Sequence, residues 1–313
     1  MRLLPSVWVG ALISVLLAGC GEQSAESESA GERSSVEITA IYEASSGRHL
    51  FQTSADTVQA GWTTFRFINA SPMLHFVLLD HLPGTRTSNE LLSEVSPIFQ
   101  ESMNLIMAGK SEEAAAQFAN LPEWFGEIVF RGGPGFLSPG LSTETTLYLE
   151  PGNYVLECYI KTADGVFHWN LGMFADLHVT DEATDAGPPV HSTLTVTVTD
   201  SALIMEGDPT PGEHLVAVDF REEEPGLVGK DVHVVRLDPG SDLDEIVAWM
   251  DFNRVEGLVS TPESPAPAVF VGGTQDMPFG NTAYFTLTLE PGEYLFVSEQ
   301  PTAESVYHRF RIQ

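Results

Sequence analysis

The chain contains the same sentence twice. Arg131-Gly132-Gly133-Pro134-Gly135-Phe136 is followed by Thr146-Leu147-Tyr148-Leu149-Glu150-Pro151-Gly152-Asn153-Tyr154, and Val271-Gly272-Gly273 is followed by Thr286-Leu287-Thr288-Leu289-Glu290-Pro291-Gly292-Glu293-Tyr294, at a constant offset of 140 positions. Self-similarity at so long a spacing means two copies of one domain-sized unit, not a stack of short repeats. Upstream, Ala60-Gly61 before Trp62 to Phe67 matches Pro211-Gly212 before His214 to Phe220, and Leu82-Pro83-Gly84 matches Asp238-Pro239-Gly240. The first copy therefore spans 36–181 and the second 191–313. Between them, Asp181 to Pro189 is polar and rich in Pro and Gly, as a linker is.

Each copy reads as strands. Val36 to Ile41 and Leu194 to Thr199 alternate at period two and are rich in β-branched residues. Glu150-Pro151-Gly152-Asn153 and its counterpart Glu290-Pro291-Gly292-Glu293 are turns between strands. A helical pattern covers Asn89 to Phe118, where Leu91, Leu92, Val95, Ile98, Phe99, Met103 and Ile106 recur at three- and four-residue spacing, with Pro97 and Gly109 as breaks. The second copy keeps a shorter counterpart at Leu243 to Met250. The expected class is mainly β: two tandem β-sandwiches, each with a short helical insertion.

The N-terminus sets the compartment. Met1-Arg2 precedes an apolar run from Leu3 to Ala18 that is too short to span a membrane comfortably and has the proportions of a cleaved signal. Its end, Leu17-Ala18-Gly19-Cys20, resembles the lipobox of bacterial lipoproteins. That resemblance makes 1–19 a signal peptide and Cys20 the lipid-modified first residue, anchoring the chain in the cell envelope on the periplasmic face of the outer membrane or the outer face of the inner one. Residues 20–35 carry no apolar side chain larger than alanine beyond Cys20 and read as a disordered tether. A formal charge of −30 makes nucleic acid a poor partner. The expected partners are the membrane, through the lipid, and a redox or envelope protein.

With Cys20 lipidated, Cys158 stands alone. An exported protein keeps an unpaired thiol when it is buried and inert, or when it is a ligand or a nucleophile. Phe65-Arg66-Phe67-Ile68-Asn69, then His75, then Tyr154-Val155-Leu156-Glu157-Cys158, then His168 and Gly172-Met173 together resemble the cupredoxin family over nearly all of the first copy. The resemblance makes the two tandem β-sandwiches cupredoxin-like and Greek-key. It implies one copper ion, with His75 and His168 as equatorial nitrogens, Cys158 as thiolate and Met173 as axial sulfur, and a role in electron transfer or copper handling. Two imidazoles, a thiolate and a weak thioether form a mixed donor set that serves both copper oxidation states. The sequence departs from the family in the nine residues, Tyr159 to Phe167, between Cys158 and His168, a gap longer than the family usually allows. His81 is a substitute ligand in view.

The second copy places Ser298, His308 and Gln313 where the first has Cys158, His168 and Met173. At the offset of 156 set by the Pro-Gly turns, His75 maps to Asp231, with His233 two residues away. The thiol and thioether are gone, so a blue copper site is expected in the first copy only. Two other readings stay open: a metal-free tandem β-sandwich that binds protein, and a hydrolase built on a Cys158 and His168 dyad, for which no third group or oxyanion site is evident. No enzymatic activity is expected.

Overall fold

Alternating β-branched sequence becomes alternating burial in the computed structural model, which describes residues 31–199, 201–221, 230–252, 254–299 and 307–313. The signal segment and Cys20 lie outside these residues. In the first copy the strands are β1 (Ser34–Glu43), β2 (Arg48–Thr53), β3 (Thr57–Asn69), β4 (Leu78–Leu82), β5 (Val129–Phe130), β6 (Ser142–Leu149), β7 (Gly152–Glu157) and β8 (Phe174–Ala183). In the second they are β9 (Leu194–Val198), β10 (Leu203–Gly207), β11 (Gly212–Phe220), β12 (Lys230–Leu237), β13 (Val269–Met277), β14 (Thr282–Leu289), β15 (Gly292–Val297) and β16 (Tyr307–Ile312). The mainly β class and the two sandwiches expected from the sequence are present.

In β1, Val36, Ile38 and Ala40 are buried while Glu37 between them is exposed, so one face meets the core. β1 pairs antiparallel with β2 and parallel with β3, and β3 pairs antiparallel with β6. The facing sheet is β5-β4-β7-β8. The second copy repeats the plan, with β10-β9-β11-β14 facing β13-β12-β15-β16. Ser34 and Ser35, read from sequence as the end of the tether, already belong to β1, where they sit opposite Thr63 and Thr64. Arg33 before them donates to the carbonyls of Gly187 and Pro188 at 2.8 and 2.9 Å.

The helical stretch breaks up as a π-turn at Leu91–Val95, a helix at Ser96–Met107 and another at Ser111–Gln117. Pro97, expected as a break, sits instead in the first turn of the longer helix, where its missing N–H and fixed φ cost nothing. In the second copy Asp242 caps Leu243–Trp249 by accepting from the N–H groups of Asp244 and Glu245.

The duplicated Gly-Gly motif is where the two copies meet. Gly135 N–H donates to Gly273 O at 3.1 Å, Gln275 N–H to Gly133 O at 2.9 Å, and Gly272 N–H to Phe136 O at 3.0 Å. Each copy thus offers the same segment to the other, and both contribute to one buried core, Phe76, Phe136 and Leu147 from the first with Val232, Phe270 and Phe285 from the second. β14 also joins β6, through Tyr284 opposite Thr146 and Phe285 opposite Thr145. Residues 31–313 form one compact unit.

Candidate metal centre

Asn69 ends β3 and organises the loop that carries His75. Its buried amide donates to Met73 O at 2.7 Å and Leu137 O at 2.8 Å, and its carbonyl oxygen accepts Ser71 N–H at 3.0 Å. Ser71 Oγ then accepts Met73 N–H at 3.1 Å and lies 2.9 Å from His75 Nε2. With its proton on Nε2, His75 donates to Ser71 and turns the lone pair of Nδ1 inward, the arrangement that ligating histidines use.

Cys158 directly follows β7. Its Sγ is 3.7 Å from His75 Nδ1. The nine residues after it form a β-hairpin, not a loose loop: Thr162 N–H donates to Val166 O at 2.9 Å, His168 N–H to Ile160 O at 2.8 Å, and Trp169 N–H to Cys158 O at 3.2 Å. That pairing folds the long insertion back on itself and returns His168 to the thiol. His168 opens a short 3-10 turn closed by Gly172 at φ 103°, and Met173 N–H donates back to His168 O at 3.0 Å. Phe167 and Trp169 pack with Met103 of the helix Ser96–Met107, so the helical insertion buttresses the hairpin.

Lys161 ties the hairpin to the second copy. It is fully buried, and its Nζ donates to Phe252 O at 3.2 Å and Arg254 O at 2.7 Å. Burial pulls its pKa down to about 8. Nothing in the sequence analysis singled it out.

His168 Nδ1 lies 3.3 Å from His75 Nδ1. Metal–nitrogen and metal–thiolate bonds of about 2.0–2.1 and about 2.3 Å, arranged in a trigonal plane, separate two nitrogens by about 3.5 Å and nitrogen from sulfur by about 3.8 Å. The observed 3.3 and 3.7 Å match that spacing. His75, Cys158, His168 and Met173 are all 0 % exposed. Met173 belongs to the same buried cluster as Cys158. The two imidazoles and the thiol therefore fit a copper ion of the type the sequence resemblance implies.

The electrostatics agree. Burial, reinforced by neighbouring imidazoles, holds His75 and His168 well below the usual histidine range, so both rings are neutral donors. Burial pushes the Cys158 thiol up to about 12. A buried thiol so reluctant to ionise is a poor nucleophile, and a bound cation displaces its proton. His168 Nε2 has no hydrogen-bond partner.

A third imidazole was missed. His49, on β2, is 3 % exposed and stacks on His168 with ring centroids 3.8 Å apart and planes 18° apart. His49, His75 and His168 each place a ring nitrogen within 4.8 Å of the others. The signal was present in the alternation of His49 and Phe51 as inward residues of a short strand. His81, considered as a substitute ligand, stands apart, its ring stacked on Tyr154 at 4.5 Å.

The second copy is different in kind, and the sequence mapping of His75 onto Asp231 is off by one. His75 faces Leu137 and Lys230 faces Met277, so the true counterpart of His75 is Lys230. A one-residue slip exchanges the faces of a strand. Asp231 and Glu299 thus correspond to Phe76 and Tyr159, on the side turned toward the other copy. Asp231, His233 and Glu299 do place donor atoms within 4.8 Å of one another. Yet His233 Nδ1 accepts Phe136 N–H at 3.1 Å, and its Nε2 lies 3.3 Å from Asp231 Oδ2. A neutral ring accepting at Nδ1 carries its proton on Nε2 and has no lone pair left for a cation. Asp231 Oδ2 and His233 Nε2 approach each other within the seam without a hydrogen bond between them.

No protein-family model matches the chain, and no curated protein does. Among solved structures the chain is similar to auracyanin A, a "blue" copper protein from Chloroflexus aurantiacus, at 19% identity, covering 47% of this chain and 99% of that one with a TM-score of 0.28. It is also similar to a blue copper oxidase from Nitrosomonas europaea, at 10% identity over 90% of this chain and 86% of that one with a TM-score of 0.24. A third is a Cu-containing nitrite reductase from Thermus scotoductus SA-01, at 14% identity over 89% of this chain and 61% of that one with a TM-score of 0.22. Two of these three are enzymes by name, so the expectation of no enzymatic activity does not stand. The identities and scores are low, and the functional reading rests on the donor cluster of the first copy.

Proposed function

We propose that this chain is an exported, lipid-anchored protein that holds one copper ion in its first copy and transfers single electrons through it. The ligands are His75 and His168 through Nδ1 and Cys158 through sulfur, with Met173 as the axial sulfur. The observation that carries the reading is that fully buried His75 Nδ1 lies 3.3 Å from His168 Nδ1 and 3.7 Å from Cys158 Sγ.

Copper bound there supplies a one-electron couple. The chain's own residues do the rest: the Asn69 and Ser71 network holds the His75 ring, the hairpin delivers His168, and full burial excludes water and competing ligands. A scaffold that holds its donors at bonding separation before the ion arrives leaves little to rearrange when the oxidation state changes. The second copy covers the hairpin and supplies the seam.

The test is titration of residues 21–313 with Cu(II), followed by visible absorption and metal analysis. The expected result is an intense thiolate-to-copper band reaching its end point at one copper per chain, absent in Cys158→Ser. A colourless protein, or an unchanged copper stoichiometry in that variant, overturns the reading. Anchoring is tested separately: Cys20→Ala should move the protein from the membrane fraction to the soluble one, and continued membrane fractionation rejects the anchor.

A further inference from the structure

His49 has no place in the ligand pattern that led to the copper site, and its surroundings are unusual for a buried histidine. It is 3 % exposed, and its Nδ1 has no hydrogen-bond partner. A buried imidazole nitrogen left unpaired costs free energy, and a phenyl ring would fill the same space without that cost. The ring lies flat on His168 at 3.8 Å and meets His75 edge-on at 5.7 Å. It therefore touches both imidazoles of the donor cluster.

The strand segment bearing it lies directly against the turn bearing His168. A methyl placed on Gly172 would sit 3.3 Å from His49 O and 3.4 Å from an Arg48 guanidinium nitrogen. Outside this contact is a surface depression of about 430 Å³, lined by Gly47 and Arg48 from the one segment and Trp169, Asn170 and Gly172 from the other. The depression reaches the neighbours of both histidines, while His168 itself is 0 % exposed. His49 directly follows Arg48 of this lining and stacks on His168, so its ring joins the segment at the opening to the donor cluster.

We propose that His49 is the lid of the copper site: a positioning residue that stacks on His168, fixes its ring plane, and closes the coordination sphere to small exogenous ligands arriving through the depression. Parallel stacking argues against direct ligation. A ring nitrogen donates in its own plane, and two imidazoles stacked face to face at 3.8 Å direct their lone pairs along parallel lines, not toward one point. This inference rests on the copper reading and adds to it a determinant of access.

The experiment compares the copper(II) form of residues 21–313 with His49→Ala and His49→Phe, reading the visible spectrum on titration with azide and the rate of copper loss to a chelator. In the parent protein azide leaves the thiolate band unchanged. In His49→Ala azide should shift it with saturation, and copper loss should be faster by about 10-fold or more, the scale seen when groups that hold ligating histidines are removed. His49→Phe, which restores the stacked ring without a nitrogen, should behave like the parent within about twofold. If both variants change the azide-free spectrum alike, His49 is a donor and the lid is overturned. If His49→Ala remains blind to azide, nothing is being covered and the lid is overturned as well. Failure of the parent protein to develop a thiolate band at all is a different result, which removes the copper reading and the lid with it.

Discussion

Ser71 Oγ lies 2.9 Å from His75 Nε2 and accepts Met73 N–H at 3.1 Å. With copper on Nδ1 the proton of His75 is on Nε2, and the hydroxyl oxygen accepts it. Replacing it by Ser71→Ala leaves that proton without a partner in a dry core and frees the ring to turn. Copper affinity should fall by about 10- to 100-fold, while the metal-free protein loses about 1–3 kcal/mol. Competition with a chelator measures the first and denaturant unfolding the second; an affinity within a factor of two of the parent would show that the ring is held by packing alone.

Copper binding should depend steeply on pH. The thiol of Cys158 is held at about 12 by burial, so at any pH below that, uptake of the ion releases one proton from sulfur. His75 and His168, depressed by burial, are already neutral above pH 6.5 and release none. The apparent association constant should therefore rise about tenfold per pH unit between about pH 7 and 9. Chelator competition across that range checks the slope, and a flat profile would mean that the thiol is not a ligand.

Lys161 replaces what a shorter loop would not need. Its ammonium group holds the carbonyls of Phe252 and Arg254 and so closes the hairpin tip against the second copy. Lys161→Met keeps the stem and strands two buried acceptors, which costs about 1–3 kcal/mol each at most. The expected outcome is a lower Tm with slower copper uptake and an unchanged visible spectrum once loaded. An altered spectrum would place Lys161 in control of the site and not of the fold.

Asp80 and Glu157 are buried carboxyl groups, with Asp80 Oδ1 and Glu157 Oε2 both lacking a hydrogen-bond partner. Burial raises both well above the usual carboxylate range, and Asp80 raises Glu157 further. The folded chain keeps protons that the unfolded chain loses above about pH 4, so their contribution is present at low pH and is lost as pH rises toward the folded pKa values, by about 1.4 kcal/mol per unit for each proton. Asp80→Asn removes one such group. Its Tm relative to the parent should climb from pH 5 to pH 8. A constant difference would mean that the pair stays protonated in neither state.

Much of this was legible in the residues because its causes are local. The period-two runs of β1 and β9 fix which side chains face inward, and the duplicated Gly-Gly segment announced two copies before any contact was known. Cys158, His168 and His75 were found because their order along the chain is itself a pattern. His49 was not, because its approach to His168 is made by a strand pairing that sequence does not spell out. Lys161 was passed over for the same reason, its partners lying some ninety residues away in the other copy. The register error at Asp231 came from counting along Pro-Gly turns, when the strand pairing of Lys230 with Met277 sets the phase.

The seam makes one last demand that can be tested by a single methyl group. Gly133 has φ 137° and Gly273 has φ 131°, in the region that L side chains avoid. A Cβ on Gly133 would stand 2.0 Å from Val77 O, and one on Gly273 would stand 2.0 Å from Val232 O. Both clashes are with backbone, so neither can be relieved by a side-chain rotation. Gly140, at φ 79° with nothing within 4 Å of its added carbon, is the control. Gly140→Ala should cost about 1 kcal/mol for its backbone conformation alone, whereas Gly133→Ala or Gly273→Ala should cost more than about 3 kcal/mol by adding a backbone shift at the junction of the copies. If denaturant unfolding places all three alanine variants together, the close approach of each Gly-Gly segment to the neighbouring strand of its own copy is not what requires glycine there.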